Sequence, residues 1–323
     1  MLYKSVIIGL GQIGMGYDLA LNLEEAVYSH ARAFSLHPSF DLIGAVDPIR
    51  MKRDLFTKNY SQPAYLNIAS LLQVHKPNVF VIASPTDNHN LALQEILVHL
   101  KPKAILCEKP LSYNLTQARE MVNLCERAGI KLFVNYMRRA DPGAIEIKKR
   151  IESGQIALPI KGVVWYSKGF IHNGSHFFNL LEFWLGSFVK VKILNPGRLW
   201  NEKDPEPDVE VEFEKGKVVF MAVWEESYSH CAIELLSPSG RLSYEQEGGS
   251  IAWQSIQEDL KFSGFKILQT KPELIKNDMN RYQLNVLNQL VNALESKAHT
   301  LSTGKESLET LEAMYSIISK REL

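Results

Sequence analysis

Two histidines stand four residues apart in the stretch FIHNGSHFFNLLEFWLG, where an apolar helical pattern begins. At this spacing His172 and His176 can meet on one face of a helix. An imidazole accepts a proton from a hydroxyl near neutral pH without much tuning. A metal site would need a third ligand, and Asn179 is a poor substitute for a carboxylate or a thiolate. The pair therefore favours proton transfer over metal binding, with a structural role as the plain alternative.

A lysine follows the apolar run Ala104–Cys107 in the stretch KAILCEKPLS. If this run is a strand of a parallel sheet, residues just past its end face the ligand crevice, and Pro110 fixes the backbone after Lys109. An ammonium group there can stabilise negative charge on an oxygen, or relay a proton if neighbouring cations lower its pKa. A solvated lysine at a strand end is the alternative.

Three glycines come directly after the β-branched run Val6–Ile8 in SVIIGLGQIG. Their G-x-G-x-x-G order is typical of a strand that turns into a helix and binds a dinucleotide. Gly9 permits the tight turn, Gly11 lets a pyrophosphate approach the backbone, and Gly14 allows close packing of helix on strand. A purely structural turn is the alternative, but the place after the first strand favours a cofactor.

The next strand, FDLIGAVDP, ends at Asp47, where a carboxylate would bind an adenosine ribose and repel a 2′-phosphate. This predicts NAD rather than NADP, although Arg50 and Arg53 could accommodate a phosphate. Asp47 lies 33 residues beyond Gly14, where about 20 is usual. We expect MGYDLALNLEEAVYSHARAF to supply an insertion, as a loop over the cofactor site before the helix containing His30.

Two further stretches supply polar residues. PNVFVIASPTDNHN predicts a strand over Val79–Ala83 that breaks at Pro85, with a helix starting near His89. After another strand, KLFVN, Arg138 and Arg139 could clamp a phosphate or carboxylate, or could make surface ion pairs with Asp141. Asn179, one turn beyond His176, could bind a sugar hydroxyl or merely cap a polar face.

The composition is that of a globular protein with two domains. Of 323 residues, 46% are hydrophobic and 22% charged, which is far from a disordered composition. The 36 basic residues balance the 36 acidic ones, so neither nucleic acid nor an anionic membrane is an expected partner. The three cysteines lack C-x-x-C spacing and no apolar run is long enough to span a membrane, which favours the cytoplasm.

The order of elements changes along the chain. The first part alternates strands with helices, which predicts a parallel sheet. After a helix over Pro142–Ser153 come strand-like runs, and two helices close the chain at Tyr282–Leu294 and Ser307–Ser319, the last with Ser307 as N-cap. The runs are Lys161–Tyr166, Val189–Leu194, Val209–Phe213, Val218–Val223 and Ala232–Leu236. The apolar residues from Phe177 to Trp184 predict a buried helix under this second sheet.

Several motifs together resemble one family. GLGQIG, AVDP, ASPTDNH and CEKPLS occur in the order seen in the Gfo/Idh/MocA oxidoreductases, and VNYMRRADPGAIEIKKRIESGQI, NGSHFFNLLEFWLG and SLETLEAMYSII extend the likeness. The resemblance implies an α/β protein: a doubly wound Rossmann domain over 1–120, and over 121–323 an α/β domain with an open, mostly antiparallel sheet. That second domain would bind substrate and form homodimers or homotetramers, and the closing helix 307–319 would pack near the first domain.

The resemblance also implies site residues. Lys109 and His176 would flank the substrate carbon beside the nicotinamide, with His176 as general base and Lys109 as its electrostatic and relay partner. His172 stands where many relatives carry an aspartate, and a neutral histidine cannot supply that carboxylate's charge. The expected cofactor residues are Gly9, Gly11, Gln12, Ile13, Gly14, Asp47, Ser84, Pro85, Thr86, His89, Glu108 and Lys109. The expected substrate residues are Tyr136, Arg138, Arg139, Asn173 and Asn179.

The function expected from this resemblance is NAD-dependent hydride transfer to or from a secondary hydroxyl of a sugar, sugar phosphate or nucleotide sugar. Two alternatives stay open: a dehydrogenase of inositol or of a non-sugar diol, and an NAD-binding regulator without turnover. His172 in place of the aspartate favours the regulator, whereas Lys109 together with His176 favours the enzyme.

Overall fold

The first 140 residues alternate strands with helices, and the strands between 160 and 274 follow one another with few interruptions. The structure, a computed structural model, describes residues 2–22 and 26–320. The strands are β1 (Tyr3–Ile8), β2 (Phe40–Val46), β3 (Ala64–Tyr65), β4 (Val79–Ile82), β5 (Ala104–Cys107), β6 (Lys131–Val134), β7 (Ile160–Tyr166), β8 (Phe188–Trp200), β9 (Asp204–Phe213), β10 (Gly216–Ala222), β11 (Ala232–Ser237), β12 (Gly240–Glu245), β13 (Ser250–Glu258), β14 (Lys266–Leu268), β15 (Glu273–Leu274) and β16 (Ser302–Thr303). The helices are α1 (His30–Leu36), α2 (Arg50–Tyr60), α3 (Ile68–Leu72), α4 (His89–His99), α5 (Leu115–Ala128), α6 (Pro142–Glu152), α7 (Ser175–Leu185), α8 (Tyr282–Leu294) and α9 (Gly304–Lys320).

The chain forms two compact units whose boundary differs from the predicted residue 120. The first unit contains Met1–Ala140 and Asn280–Glu309, and the second contains Asp141–Met279 and Thr310–Leu323. Residue 120 falls inside α5, and the strand after that helix, β6, pairs in parallel with β5. Because β6 extends the first sheet, the first unit continues to Ala140. The predicted closing helix, 307–319, lies within α9, which contributes residues to both units.

The sheet of the first unit has the strand order β16-β6-β5-β4-β1-β2-β3. All pairs are parallel except β16 with β6. From β3 to β6 this is the doubly wound order, in which the connections reverse between β1 and β4 and open a crevice at the carboxyl ends of the strands. β1 from Ser5 onwards, β4 and β5 are almost fully buried, as expected of a parallel sheet covered on both faces.

The insertion predicted between Gly14 and Asp47 lies inside the first turn of a helix. The backbone N–H groups of His30 and Ala31 donate to the carbonyls of Ile13 and Gly14, which in an uninterrupted α-helix would bind residues 17 and 18. The hydrogen bonding therefore skips thirteen residues. Without those thirteen, the 33-residue separation of Gly14 from Asp47 becomes the usual distance of about 20.

A buried ion pair organises this insertion. Both oxygens of the Asp18 carboxylate are used, because they accept from the backbone of Tyr28 and from the backbone and hydroxyl of Ser29 at 2.6–2.8 Å. Arg32 contacts Asp18 at 3.7 Å and donates to carbonyl oxygens of the insertion, including that of Asp18. Buried charges are tolerated when they are paired and hydrogen-bonded in this way.

The sheet of the second unit has the order β14-β13-β12-β11-β7-β10-β9-β8, with β15 also on β13. Its pairs are antiparallel except β7 with β10, which confirms the predicted α/β fold class with a mostly antiparallel second sheet. In α7, Phe177, Phe178, Leu180 and Leu181 are fully buried, as the apolar pattern predicted. Each predicted strand is present, and β8 and β9 extend several residues beyond the predicted ends.

The closing helix begins earlier than predicted. Glu306 accepts a hydrogen bond from the Thr303 backbone, and the Glu306 backbone donates to the Thr303 hydroxyl. This is a capping box at Thr303, so the prediction of Ser307 as N-cap is wrong, and Ser307 instead pairs with the Ser302 hydroxyl.

Among the described helices, none combines the length and apolar character needed to cross a bilayer.

Candidate functional site

The glycine turn after β1 has the geometry that a dinucleotide requires. Gly9 has φ +100°, and a side chain there would lie 2.6 Å from backbone atoms of Ala83 and Ser84. A side chain at Gly14 would collide with the carbonyl oxygen of Gly9, whereas nothing lies within 4 Å of a Cβ at Gly11. The turn thus leaves open backbone at Gly11, where a pyrophosphate would approach. Gln12 is exposed and Ile13 partly buried in the same turn.

Asp47 connects this turn to the end of β2. Its two carboxylate oxygens accept backbone hydrogen bonds from Leu10 and Ile49, each at 2.8 Å. Each oxygen keeps a second lone pair, so the carboxylate still fits a ribose diol. Arg53 donates to the carbonyls of Asp47 and Pro48, so its guanidinium is already used in fixing the start of α2.

The loops after β4 and β5 are joined by His89. Its Nε2 lies 2.9 Å from the carbonyl oxygen of Ser84 and its Nδ1 lies 3.2 Å from that of Leu111. The ring is buried, and burial lowers the pKa of His89. Both ring nitrogens contact backbone, so His89 serves the predicted cofactor site by holding two loops. Pro85 and Thr86 lie in the first of these loops, the former exposed and the latter partly so.

A buried polar network surrounds Glu108 at the end of β5. Its Oε1 lies 2.7 Å from Nε2 of His30 and accepts from Nδ2 of Asn135 at 2.7 Å, and Asn135 also donates to Gln283 at 3.3 Å. Burial alone would raise the pKa of Glu108, but the hydrogen bond and charge of His30, with Asn135 and Lys109, more than offset it and hold the pKa below its usual range. Glu108 is therefore a buried carboxylate anion beside a partly exposed lysine.

Sequence reasoning missed three members of this network. Asn135 could have been predicted from the sequence, because it follows β6 as Glu108 follows β5. The carboxyl ends of neighbouring parallel strands lie at the same edge of a sheet. His30 was predicted only as part of a helix. Its approach to Glu108, 78 residues away, depends on the insertion that displaces it from the glycine motif, and Gln283 comes from a helix at the other end of the chain.

The predicted substrate residues of the first unit are buried. Tyr136, Arg138 and Arg139 each have less than 9% of their surface exposed. One guanidinium nitrogen of Arg139 donates to Glu306 at 2.9 Å, so that arginine has an internal ion pair. This ion pair favours a structural role for Arg139 over a place in the predicted two-arginine clamp.

In the second unit, the first histidine lies in a π-helix, Gly169–Gly174, directly before α7. The carboxylate of Asp204 accepts from the backbones of Ile171 at 3.0 Å and His172 at 2.7 Å, and Glu206 accepts from Gly169 at 3.0 Å. The His172 ring stacks on Trp200, with centroids 4.9 Å apart. π-Helical turns are rare and often mark functional sites, so this segment is held in a special conformation by two acids of β9.

His176 lies in the first turn of α7 and is buried. Asn173 donates to the carbonyl of Ser167 at 3.0 Å, and Asn179 donates to the Thr310 hydroxyl at 3.0 Å, which in turn donates to Glu182. Asn179 therefore joins α7 to α9, which favours its structural alternative.

No group of three or more His, Cys, Asp or Glu side chains within the described ranges is placed to hold a metal ion.

The first part of the chain resembles a known family of proteins. Residues 3–136 match the profile of the Gfo/Idh/MocA family, described as "Oxidoreductase family, NAD-binding Rossmann fold". Over 172 residues the chain is 28% identical to scyllo-inositol 2-dehydrogenase (NAD(+)) of Bacillus subtilis, which is 52% of this chain and 44% of that protein. Over 153 residues it is 27% identical to myo-inositol 2-dehydrogenase of Thermotoga maritima, or 47% of this chain and 42% of that protein. The matches thus span less than half the length of either relative.

Solved structures resemble the whole chain. A putative myo-inositol dehydrogenase from Sinorhizobium meliloti matches with a TM-score of 0.73 at 18% identity, over 99% of this chain and 98% of that one. The WlbA dehydrogenase of Bordetella pertussis, solved with NADH and UDP-GlcNAcA, matches with a TM-score of 0.73 at 14% identity, over 99% and 96%. At these identities the likeness concerns the fold. Residues 3–136 are thus similar to the NAD-binding Rossmann domain of the Gfo/Idh/MocA oxidoreductases, and the whole chain shares the fold of the solved dehydrogenase structures.

Proposed function

We propose that this protein transfers a hydride between NAD and a secondary hydroxyl or ketone carbon of a sugar, sugar phosphate, nucleotide sugar or cyclitol. The observation that carries the proposal is the pairing of an open glycine turn at Gly11 with a lysine set beside a buried carboxylate at the same edge of the Rossmann sheet. The inositol and glucose-6-phosphate dehydrogenases among its relatives support this substrate class.

NAD, when bound, would accept a hydride from the substrate carbon through its nicotinamide. In the proposed reaction His176 takes the proton of the substrate hydroxyl and becomes an imidazolium, so that the hydroxyl is left as a carbonyl and the proton is held on the imidazole. The Lys109 ammonium stabilises the negative charge that grows on the oxygen. His172 is the third member of the proposed catalytic set, and its ring is stacked on Trp200.

We further propose that NAD binds through the glycine turn, Asp47 and the loops after β4 and β5. Gly9, Gly11, Gln12, Ile13 and Gly14 would hold the pyrophosphate through backbone groups. The carboxylate of Asp47 would bind the adenosine ribose. Tyr136, Arg138 and Asn173 are the proposed substrate residues, with Arg138 favouring a phosphorylated or nucleotide-linked sugar.

The test is a substrate panel followed by absorbance of NADH, with sugars, sugar phosphates, nucleotide sugars and inositols. Against an active substrate, we expect His176→Ala to lose at least about a hundredfold in kcat, the usual contribution of a general base. Lys109→Met should lose a comparable factor, and the double variant should lose little more, because groups that act on one transition state are not additive. His99→Ala and Lys101→Met, exposed residues beyond the site, should behave as the wild type.

Two results would overturn the proposal. Tight NADH binding with no turnover across the panel would identify the protein as an NAD-binding regulator. Full activity in His176→Ala would remove that residue from the proton-transfer role.

We also propose that copies of the chain associate as a dimer or tetramer through the open face of the second sheet, in the cytoplasm. Trp165 on β7 is 38% exposed, and its neighbours on that face are Val163 and, in register on β10, Val219 and Met221. An exposed apolar patch at the centre of a sheet is typical of an interaction surface. The three cysteines are buried thiols, which suits a reducing compartment.

A further inference from the structure

Glu108 directly precedes Lys109 in the chain, and its carboxylate is held in place by His30. His30 has no exposed surface and Glu108 has 9% exposed, so the two groups pair away from bulk water. Since an ionised carboxylate only accepts hydrogen bonds, His30 and Asn135 are both donors to Glu108. A buried carboxylate with two donors of this kind is kept in its charged form.

The charge of Glu108 acts on Lys109. The Lys109 ammonium is one of the charges that lower the pKa of Glu108, after the opposing effect of burial and the larger effect of His30. Such coupling is reciprocal, so an ionised Glu108 favours the ammonium form of Lys109 to the same extent. Loss of the carboxylate charge would therefore make Lys109 give up its proton at lower pH.

The other titratable groups near Glu108 do not supply a negative charge that could act on Lys109 in its place. Burial raises the pKa of Cys107 and of Tyr282, and the charge of Glu108 adds to both effects, so the thiol and the phenol stay neutral at the pH of interest. Burial lowers the pKa of His89, and both of its ring nitrogens contact backbone carbonyl oxygens of Ser84 and Leu111. Arg138, which acts on Tyr282, keeps a constant positive charge.

We propose that Glu108 is the counter-ion that maintains the Lys109 ammonium and that His30 is a positioning residue that keeps Glu108 ionised. The inference rests on the proposed function, because the Lys109 charge matters for turnover only if the lysine stabilises the reacting oxygen. It adds a residue, His30, that lies outside the glycine motif and the Glu-Lys-Pro turn.

The experiment measures the reactivity of Lys109 itself, so that it does not depend on turnover. The full chain is labelled with trace acetic anhydride across a pH series, and the midpoint for Lys109 is read from its peptide by mass spectrometry. Lys101, an exposed lysine, serves as the internal reference. The variants are Glu108→Gln, His30→Leu, His30→Gln and the double variant His30→Leu with Glu108→Gln, each checked for folding by circular dichroism.

We expect Glu108→Gln and His30→Leu to lower the Lys109 midpoint by about one pH unit, the shift expected when a nearby opposite charge is lost. His30→Gln keeps a donor and should stay within a few tenths of a unit of the wild type. The double variant should equal Glu108→Gln, because His30 acts through Glu108. If an active substrate is known, the alkaline limb of kcat/KM should move in parallel.

An unchanged midpoint in Glu108→Gln would overturn the inference, and so would a shift from His30→Leu that adds to that of Glu108→Gln. If His30→Leu fails to fold, His30→Gln and Glu108→Gln still decide the question. The expected labelling pattern without any turnover would refute the proposed function while leaving this inference standing.

Discussion

At the scale of single residues, the choice between NAD and NADP rests on the charge of Asp47. The carboxylate is buried and tied to the glycine turn through Leu10, so it cannot swing away to admit a 2′-phosphate. Arg53, the alternative partner for that phosphate, donates instead to backbone carbonyls. The Lys52 ammonium lies 3.8 Å from the Asp47 carboxylate and offsets part of its charge, but a carboxylate fixed at this position still suits a ribose diol better than a phosphate, and the geometry therefore favours NAD.

Replacing Asp47 by asparagine should relax this preference. The amide side chain of the variant can still accept one backbone hydrogen bond, but it lacks the charge that repels a phosphate. We expect the ratio of NADPH to NADH dissociation constants to fall by at least about tenfold, or about 1.4 kcal/mol, in a fluorescence titration. Glu126→Gln, at an exposed position on α5, should leave the ratio unchanged. A wild-type preference for NADPH would contradict the prediction.

Residue chemistry was predictable from the sequence wherever the partners are neighbours in the chain. The glycine turn, Asp47 and the Glu-Lys-Pro turn belong to short motifs whose geometry follows from one strand and one loop. The His30–Glu108 pair and the stacking of His172 on Trp200 join residues 78 and 28 positions apart. Such contacts are created by the packing of elements and leave no periodic pattern in the sequence.

At the scale of elements, the π-helix before α7 depends on an acid that is not in its charged form at every pH. Burial raises the pKa of Asp204 from its ordinary value of 3.8 to about 6, although three backbone N–H groups oppose the change and Glu206 adds to it. The folded pKa thus lies above the unfolded one. The contribution of Asp204 to the free energy of unfolding is fully present below the unfolded pKa. It is lost as pH rises from there through about 6.

Asp204→Asn should therefore be more harmful in acid than at neutral pH. The full shift corresponds to about 3 kcal/mol, of which the wild type loses about 2 kcal/mol between about pH 4 and about pH 6.5 and an uncharged asparagine loses none. Thermal unfolding of both proteins at these two pH values should show a smaller difference in melting temperature at the higher pH. Asp208→Asn, on the same strand, is the matched comparison. If the difference in melting temperature between the two proteins is equal or larger at the higher pH, the prediction is wrong, because ionisation of Asp204 then does not destabilise the folded protein.

Element boundaries were predictable where an apolar run ends at a turn residue and less so where tertiary contacts decide. β5 and α8 lie where predicted, because β5 is an apolar run that ends at the Glu-Lys-Pro turn and α8 repeats buried residues at helical spacing along its length. The start of α9 depends on the Thr303–Glu306 capping box, and the π-helix depends on Asp204 and Glu206, which lie some thirty residues further along the chain. Neither cause is visible in the periodicity of the segment itself.

At the scale of the whole molecule, the sequence predicted two α/β units but not their exchange of segments. Residues 280–309 return to the first unit because α8 packs in its core and β16 pairs with β6. A strand of two residues carries no detectable alternation, so this return could not be read from the sequence. The fold class was nevertheless predictable, since strand–helix alternation and a run of strands are properties of long segments.

The proposed association through the second sheet is also a whole-molecule property. On β7, alternate residues divide between a fully buried face, represented by Val164, and an open face that includes Trp165. The open face also carries cross-strand ion pairs, Lys217–Glu212 on one side and Arg241–Glu234 on the other. An apolar centre inside a polar rim is the usual anatomy of a protein interface.

Trp165→Glu should abolish this association. A buried tryptophan at the centre of an interface typically contributes about 2 kcal/mol or more, and the new carboxylate would also be buried without a partner. We expect light scattering coupled to size-exclusion chromatography to show a multiple of 36.7 kDa for the wild type and a single chain mass for the variant. Trp224→Glu, on the more exposed tryptophan beyond the end of β10, should keep the wild-type mass. A wild type that elutes as a single chain would refute the association. A Trp165→Glu variant that stays assembled would place the interface elsewhere, because a sheet face with a charged centre cannot pair with its own copy.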